Sequence, residues 1–538
     1  MATKATKRLG VVGAGTMGAG IAEVAALHGI QTVLVDGSES ALTGAEVRLV
    51  DSFARAVERG RLPGREADAA RRRLSFTVAL DDLAGCDVVI EAVSERLELK
   101  RELFGRLAEV CPAPALLATN TSSLRVSSVA AGASDPGRIV GMHFFNPVAR
   151  MRLVEVIPGA ESDSVAVAQA RGLGEALGKQ VIVASDSIGF LVNRCARPFV
   201  GEALRLVQER LATVEQVDRI CRMAGGFRMG PFELVDLIGL DVNLEIAESF
   251  WFQSYGEPRW QPNAIQARMV DAGRLGRKSG AGFYSYADDG SYRPPDPEPP
   301  RLGGGGDRLV AIDGDGAVAV ALRERARLAG FDVCEWGGER AGDAWLGVDA
   351  KLRPADGGPG SERRPALRTC LCAGAALAAW QDRAAAGFHL IGPLDDSVRL
   401  VEVTEQPGTE TEAAERANAF FAALGLHPEP VGDAPGLVLG RIVAQLVNEA
   451  AFAIGEGVGS PTDIDTGTVL GLNYPRGPVV WSQGAGLAHV RAILTALHRD
   501  RGEARYRLAP RLLRGDSLAM DHLQEEAPSV NRLAADAQ

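Results

Sequence analysis

Paired cysteines, long apolar runs and dense basic clusters are what this chain lacks, and each absence excludes something. Its seven cysteines (Cys86, Cys111, Cys195, Cys221, Cys334, Cys370 and Cys372) are odd in number and form no C-x-x-C pair. They read as buried or free thiols in a reducing compartment, not as a disulfide frame. No stretch reaches the roughly 18 apolar residues that a membrane-spanning helix needs. A net charge of -11 and a pI near 5.4, without a basic run, argue against a nucleic-acid surface. The opening residues, MATKATKRLGVVGAG, pass at once into a strand and a glycine turn, without the apolar core and cleavage site of a secretory signal. The expectation is a soluble cytoplasmic protein with no nucleic-acid and no membrane partner. Composition is otherwise ordinary, 46% hydrophobic and 24% charged, so 538 residues can build several cores.

Along the chain, residues 8–36 read strand, glycine turn, helix, strand, and further apolar strands follow at 88–92, 116–118 and 139–143. Strands alternating with helical stretches predict a parallel, doubly wound sheet over 1–187. From 188 to 286 the pattern turns helical. The proline-dense stretch 287–306 reads as a linker, and 337–365, rich in Gly, Pro and charge, as loops. The polar tail 513–538 reads as poorly ordered.

The chain also repeats itself. SIGFLVNRCARPFVGEALRLV aligns with APGLVLGRIVAQLVNEAAFAI, pairing Gly189 with Gly436, Arg194 with Arg441 and Glu202 with Glu449, all 247 positions apart. Asp218 pairs with Asp465 and Gly230-Pro231 with Gly477-Pro478 in the same register, and upstream RLVEV at 152–156 matches RLVEV at 399–403. A second, degenerate copy is therefore expected, sheet-like over 307–435 and helical over 436–512.

Two constellations carry chemistry. Gly13-x-Gly15-x-x-Gly18, with Thr16 and Met17 inside it, follows a strand and opens a helix, the context a dinucleotide turn requires. Asp36 ends the second strand, where a carboxylate accepts ribose hydroxyls and repels a 2′-phosphate, favouring NAD over NADP. His143, at the end of an apolar strand, is a candidate general base. Glu155, 12 residues on, could fix its tautomer if the two strands pair. Taken alone, His143 could equally be a core or surface histidine, and Ser122 and Asn193 ordinary cap or turn residues.

The stretches GAGTMGAGIAEVAA, VIEAVSERLELKRELF, TNTSSL, GMHFFNPVARMRLVEV, SIGFLVNR, GGFRMGPFELVDLIGLDVN and GRLGRKSGAGFYSY resemble the 3-hydroxyacyl-CoA dehydrogenases. NYPRGP and GEARYR extend the likeness to the long phenylacetate-degradation type. The resemblance implies an α/β Rossmann-type dinucleotide-binding domain followed by an all-α C-terminal domain, then a degenerate second copy of the same arrangement. It implies NAD as cofactor, an acyl-CoA substrate and no metal, with His143 as base and Glu155 as its partner. Ser122 and Asn193 would lie around the reacting oxygen, and Glu95, Lys100, Asn146 and Lys278 against NAD. Ser52 matches a CoA-contacting serine, and Arg59 stands where the family has lysine. The long type suggests 3-hydroxyadipyl-CoA, with Arg228 offered as a cation for its distal carboxylate or as a mere loop charge. A 3-hydroxybutyryl-CoA or general β-oxidation enzyme, a crystallin-like structural protein and a non-catalytic ligand sensor are the alternatives.

The second copy is expected to be silent. Asp313 and Asp315 are placed where Gly13 and Gly15 stand, Gly440 where Asn193 stands, and Arg368-Thr369-Cys370 near the TNTSS segment, while His389 and Glu402 resemble His143 and Glu155. The resemblance, in which the helical domain is similar to a dimerisation element, implies a homo-oligomer and an intrachain pseudo-dimer of the two helical domains.

Overall fold

The computed structural model describes residues 6–289, 291–356 and 365–519. They divide into two compact units, one of residues up to Arg194 with Gly457–Leu472, the other of Cys195–Glu456 with residues from Asn473 on.

The first unit is built on β1 (Arg8–Val12), β2 (Gln31–Val35), β3 (Leu74–Thr77), β4 (Val88–Glu91), β5 (Leu116–Thr119), β6 (Ile139–Phe144), β7 (Leu153–Pro158) and β8 (Gln180–Val183), in the order β3-β2-β1-β4-β5-β6-β7-β8. β4 and β5 are buried along their whole length, as strands covered on both faces must be. The Thr16–Leu27 helix lies on the sheet through small residues, Gly18, Ala19, Ala22, Ala25 and Ala26. The sheet is not wholly parallel. β6 and β7 run antiparallel, because residues 145–152 between them are too few for the crossover a parallel pair needs.

The second unit holds β9 (Leu309–Asp313), β10 (Asp332–Glu335), β11 (Leu346–Asp349), β12 (Arg368–Leu371), β13 (Ala385–His389), β14 (Leu400–Thr404) and β15 (His427–Pro430), ordered β10-β9-β11-β12-β13-β14-β15. This is the first topology without a counterpart of β3, and again one pair, β13 with β14, is antiparallel. Residues 36–87 of the first copy, with the long Glu39–Glu58 helix, are reduced to 336–345 in the second. β11 lies inside the stretch read as loops: four buried residues between Gly- and charge-rich flanks leave too short an apolar signal.

The helical repeat is faithful to the residue. Val192–Gln208 and Leu439–Gly455, Pro231–Ile238 and Pro478–Ala485, and the starts Leu240 and Leu487 all differ by the same 247 positions. Even the turn before the first helix repeats, with left-handed φ at Gly189 and Phe190 and again at Gly436 and Leu437. One helix of each set lies on the other copy's sheet. Pro461–Leu472 packs on β7 and β8 within the first unit, and Val214–Met223 packs on β14 within the second.

The stretch 287–306 forms no helix or strand among its described residues, but it is strapped down, not free. Arg293 pairs with Glu233 at 2.6 Å, Arg222 with Asp296 at 2.6 Å, and the Tyr292 hydroxyl donates to Glu233. Of the tail read as polar, residues 513–514 close the Pro510–Arg514 helix, and 520–538 lie outside the described residues.

Candidate active site

Antiparallel pairing of β6 and β7 sets His143 directly opposite Glu155. The His143 ring nitrogen Nδ1 lies 2.6 Å from Glu155 Oε2, with Glu155 fully buried and His143 6% exposed. The other carboxylate oxygen, Oε1, accepts the backbone N–H groups of Leu191 and Val192 at 3.1 and 3.0 Å. One buried carboxylate thus orients the imidazole and holds the start of the helix that carries Asn193. Asn193 Nδ2 reaches the Ser122 carbonyl at 3.5 Å, and Ser122 itself is exposed on the loop after β5.

That loop is held by a network the sequence did not reveal. Glu95 Oε1 accepts the Thr121 hydroxyl at 2.5 Å and the N–H groups of Ser122 and Ser123 at 2.9 and 3.0 Å. Burial works against its charge, yet Lys100 and these hydrogen bonds hold the Glu95 carboxyl below its usual range. Lys100 is 1% exposed and bridges Glu95 to Glu91, at 3.2 and 2.6 Å, while Glu91 also accepts the Thr119 hydroxyl. Lys100 is therefore neither a solvated helix charge nor a free cation for a ligand: its ammonium is consumed inside the protein. Asn120, also unmarked in sequence, ties the loop to β6 by accepting Phe144 N–H at 2.8 Å.

The glycine turn fits a dinucleotide. Gly13 has φ of 108°, and a Cβ at Gly18 would fall 1.8 Å from the Gly13 carbonyl oxygen, so both need glycine. Around Gly15 nothing lies within 4 Å of where a Cβ would stand, and no side chain caps the helix there. Open space over uncapped N–H groups is what a pyrophosphate requires. Thr16 is exposed and Met17 partly so. Asp36 accepts Ala14 N–H at 2.8 Å and Ser38 N–H at 3.0 Å, fixing the carboxylate beside the turn.

The remaining candidates are more dispersed. Asn146 is exposed just beyond β6. Ser52 donates to Glu23 at 2.6 Å from the Glu39–Glu58 helix, and Arg59 is exposed at that helix's end, two turns on. Lys278 belongs to the second unit, where Asp241 already holds it at 2.6 Å. Arg228 is an exposed loop residue of that unit. No metal-binding cluster of His, Cys, Asp or Glu occurs among the described residues, and no helix there is long and apolar enough to cross a membrane.

Residues 8–187 match the NAD binding domain of 3-hydroxyacyl-CoA dehydrogenase, and residues 189–286 and 436–523 each match its C-terminal domain. The chain belongs to the 3-hydroxyacyl-CoA dehydrogenase family. A 3-hydroxyadipyl-CoA dehydrogenase of Escherichia coli K12 is 36% identical over 92% of this chain and 94% of its own length. A 3-hydroxybutyryl-CoA dehydrogenase of Mycobacterium tuberculosis is 43% identical but covers 52% of this chain, with 99% of its own length matched. A crystal structure of a 3-hydroxybutyryl-CoA dehydrogenase from Escherichia coli K12 superposes with a TM-score of 0.75 and 33% identity, over 95% of this chain and 98% of that one. This member of the family is thus an NAD-dependent oxidoreductase, and its sheet-plus-helices unit is duplicated.

The second copy of this dehydrogenase fold keeps the frame and loses the site. Strand pairing corrects the expected register: Gly314, with φ of 105°, and Gly316, at the helix N-cap, take the places of Gly13 and Gly15. Asp313 and Asp315 instead replace Val12 and Ala14. Asp313 is bound by Lys351 and Arg353, and Gly337, not an acid, follows β10 where Asp36 follows β2. Cys370 takes the pairing position of Thr119, so the place of Ser122 falls to Ala373, not to the Arg368–Cys370 segment. Glu402 still accepts the N–H groups of Val438 and Leu439, both at 2.8 Å, as Glu155 does at the equivalent positions. His389, although opposite Glu402, turns its Nε2 to His489 at 3.1 Å, and its Nδ1 has no partner. A side chain at Gly440, the place of Asn193, would strike the His389 ring at 2.2 Å.

Proposed function

We propose that the enzyme oxidises an (S)-3-hydroxyacyl-CoA to the 3-oxoacyl-CoA at the His143–Glu155 pair of the first copy. NAD, when bound at the Gly13–Gly18 turn, supplies the hydride acceptor. With Nδ1 held by Glu155, His143 is left with Nε2 to take the 3-hydroxyl proton, and the buried carboxylate stabilises the cation that results. Ser122 and Asn193 position the substrate oxygen, and Glu95 with Lys100 keeps the Ser122 loop in place for that task. Asn146 serves the cofactor, and Ser52 with Arg59 the CoA moiety. The single observation that carries this reading is the 2.6 Å His143–Glu155 contact, present in the first copy and dissolved in the second. The test is consumption of NADH absorbance with acetoacetyl-CoA: no turnover would leave a structural or ligand-sensing protein. We favour 3-hydroxyadipyl-CoA, in aromatic catabolism, on the curated relative of that name; the 3-hydroxybutyryl-CoA name is carried by a solved structure that spans both copies as well, so kcat/KM on the two thioesters decides between them.

Cofactor choice follows from Asp36. NAD should be preferred over NADP, and Asp36→Ser should weaken NAD while relieving repulsion of a 2′-phosphate, so that the ratio of kcat/KM values moves toward NADP. Equal efficiency of the wild-type enzyme with both cofactors would refute the ribose assignment.

We also read the helical segments as an intrachain pseudo-dimer. Tyr506 donates to Glu202 at 3.1 Å and Arg259 to Glu449 at 2.8 Å. The 247-residue offset turns one pair into the other with the copies exchanged, the pattern of an isologous interface. At its centre Arg441, fully buried, meets Glu202 at 2.6 Å and Glu209 at 2.8 Å. Arg441→Met leaves buried Glu202 without its cation, while Glu209 keeps Arg501 at 2.7 Å, and should lower unfolding free energy by about 3–5 kcal/mol in denaturant titrations. A loss under about 1 kcal/mol would mean that the copies do not depend on this contact.

A further inference from the structure

The dehydrogenase reading accounts for the reacting end of the substrate and leaves one cation of the molecule unexplained. We infer that Arg197 is the counter-ion for a carboxylate at the far end of the acyl group, so that the enzyme is built for dicarboxylic 3-hydroxyacyl thioesters. This rests on the dehydrogenase reading and adds to it the residue that would select the substrate.

Arg197 lies in the Val192–Gln208 helix, four residues after Asn193. It is partly buried, its Nε is shut off from solvent without a hydrogen-bond partner, and no carboxylate among the described residues pairs with it. What it has is the Phe250 ring, 5.5 Å from the guanidinium carbon. Burial pulls its pKa down to about 10, with Tyr474 as the opposing influence. Its neighbours in sequence space behave otherwise. Buried Arg441 pairs with Glu202 and Glu209, Arg222 with Glu233 and Asp296, and Arg259 with Glu449. Taking a guanidinium out of water without an anion is costly, so a position that keeps one is explained by an anion that arrives with the ligand.

The spacing suits that anion. Residues four apart share a helix face, and one turn advances about 5.4 Å. In a six-carbon diacid the terminal carboxyl carbon lies three bonds beyond carbon 3, roughly 4 Å away at about 1.5 Å per bond. A substrate whose 3-oxygen is held near Asn193 would therefore present its distal carboxylate about one turn along, where Arg197 offers a planar fork matched to carboxylate geometry. The repeat supplies an internal comparison. In the Leu439–Gly455 helix the position of Arg197 is Ala444, fully buried, and that of Asn193 is Gly440. The helix packs without the cation, and the copy that lost the amide lost the cation with it. Arg228, the cation suggested by sequence, is exposed and carries no such mark.

The test compares ligands of equal length and different terminal charge. For the full-length enzyme, kcat/KM is measured with 3-hydroxyadipyl-CoA and 3-hydroxyhexanoyl-CoA, and calorimetry follows binding of adipyl-CoA and hexanoyl-CoA, which lack the reacting hydroxyl. The wild type should favour the diacid in both measurements. Arg197→Met should reduce the diacid-to-neutral ratio about 30-fold or more, and Arg197→Lys, which keeps charge but not the fork, should reduce it less. A wild type indifferent to terminal charge overturns the inference. So does an Arg197 variant, Met or Lys, that weakens both analogues equally, the mark of a packing role. Absence of turnover on every thioester, with charge-selective binding intact, would sink the dehydrogenase reading while leaving the Arg197 subsite standing.

Discussion

His143→Gln is expected to lower kcat by about 10²–10⁴-fold while NADH binds as before, because the variant removes the proton acceptor and nothing from the dinucleotide turn. Glutamine is the informative replacement. Its amide can still donate to Glu155, so the buried carboxylate is not abandoned and the fold is spared. Glu155→Gln should cost less in rate, since the ring loses its orienting charge but keeps a hydrogen-bonding neighbour. Its cost in stability is separable from its cost in rate. Glu402 performs only the first task of Glu155, holding two backbone N–H groups at the start of a helix, and burial lifts its carboxyl to about 8. Glu402→Gln should thus change stability without changing kcat, and Glu155→Gln should change both. Near-normal kcat in His143→Gln, with NADH binding unchanged, would remove the proposed base.

How much of this was legible before the structure depended on distance along the chain. The glycine turn, Asp36 and the His143–Glu155 pair lie on consecutive strands, where period and spacing carry the geometry. The 247-residue register was legible for the same reason, and it holds from Gly189 to Leu487 without a gap. The degenerate turn was misaligned by one residue because Asp313-Gly314-Asp315-Gly316 alternates: a shift of one exchanges every acid for a glycine. Only the pairing of β9 with β10 and β11 decides the register. Lys100 and Glu91 were beyond sequence altogether. Nothing local says that a lysine in a charged helix is 1% exposed between two carboxylates. Arg197 escaped for the complementary reason, since an unpaired cation is visible only once its surroundings are known to lack an acid.

Ending the chain near residue 297 is expected to abolish activity by more than about 100-fold or to yield aggregate, although every residue proposed for the chemistry would remain. The reason is the Pro461–Leu472 helix, which belongs to the second copy by sequence but lies on β7 and β8. Gly467 there sits so close that a Cβ would come within 2.9 Å of Val192 and 3.0 Å of Leu191, the two residues whose N–H groups Glu155 holds. At Gly471 a Cβ would be 3.6 Å from Phe145, whose ring centre is 4.5 Å from that of His143. Truncation therefore strips the cover from Leu191, Val192 and Leu153, all fully buried, and loosens the backbone that fixes Asn193. The second copy's own residues should be silent by contrast. His389→Ala opens a cavity and should lower stability but leave kcat unchanged, and calorimetry should find a single NAD site per chain, because Gly337 offers the ribose no carboxylate and Asp315 adds an exposed negative charge to the turn itself. Full activity of the truncated chain would show that the duplication is dispensable. Two equivalent NAD sites, or a large loss of rate in His389→Ala, would show instead that the second copy still works as an enzyme.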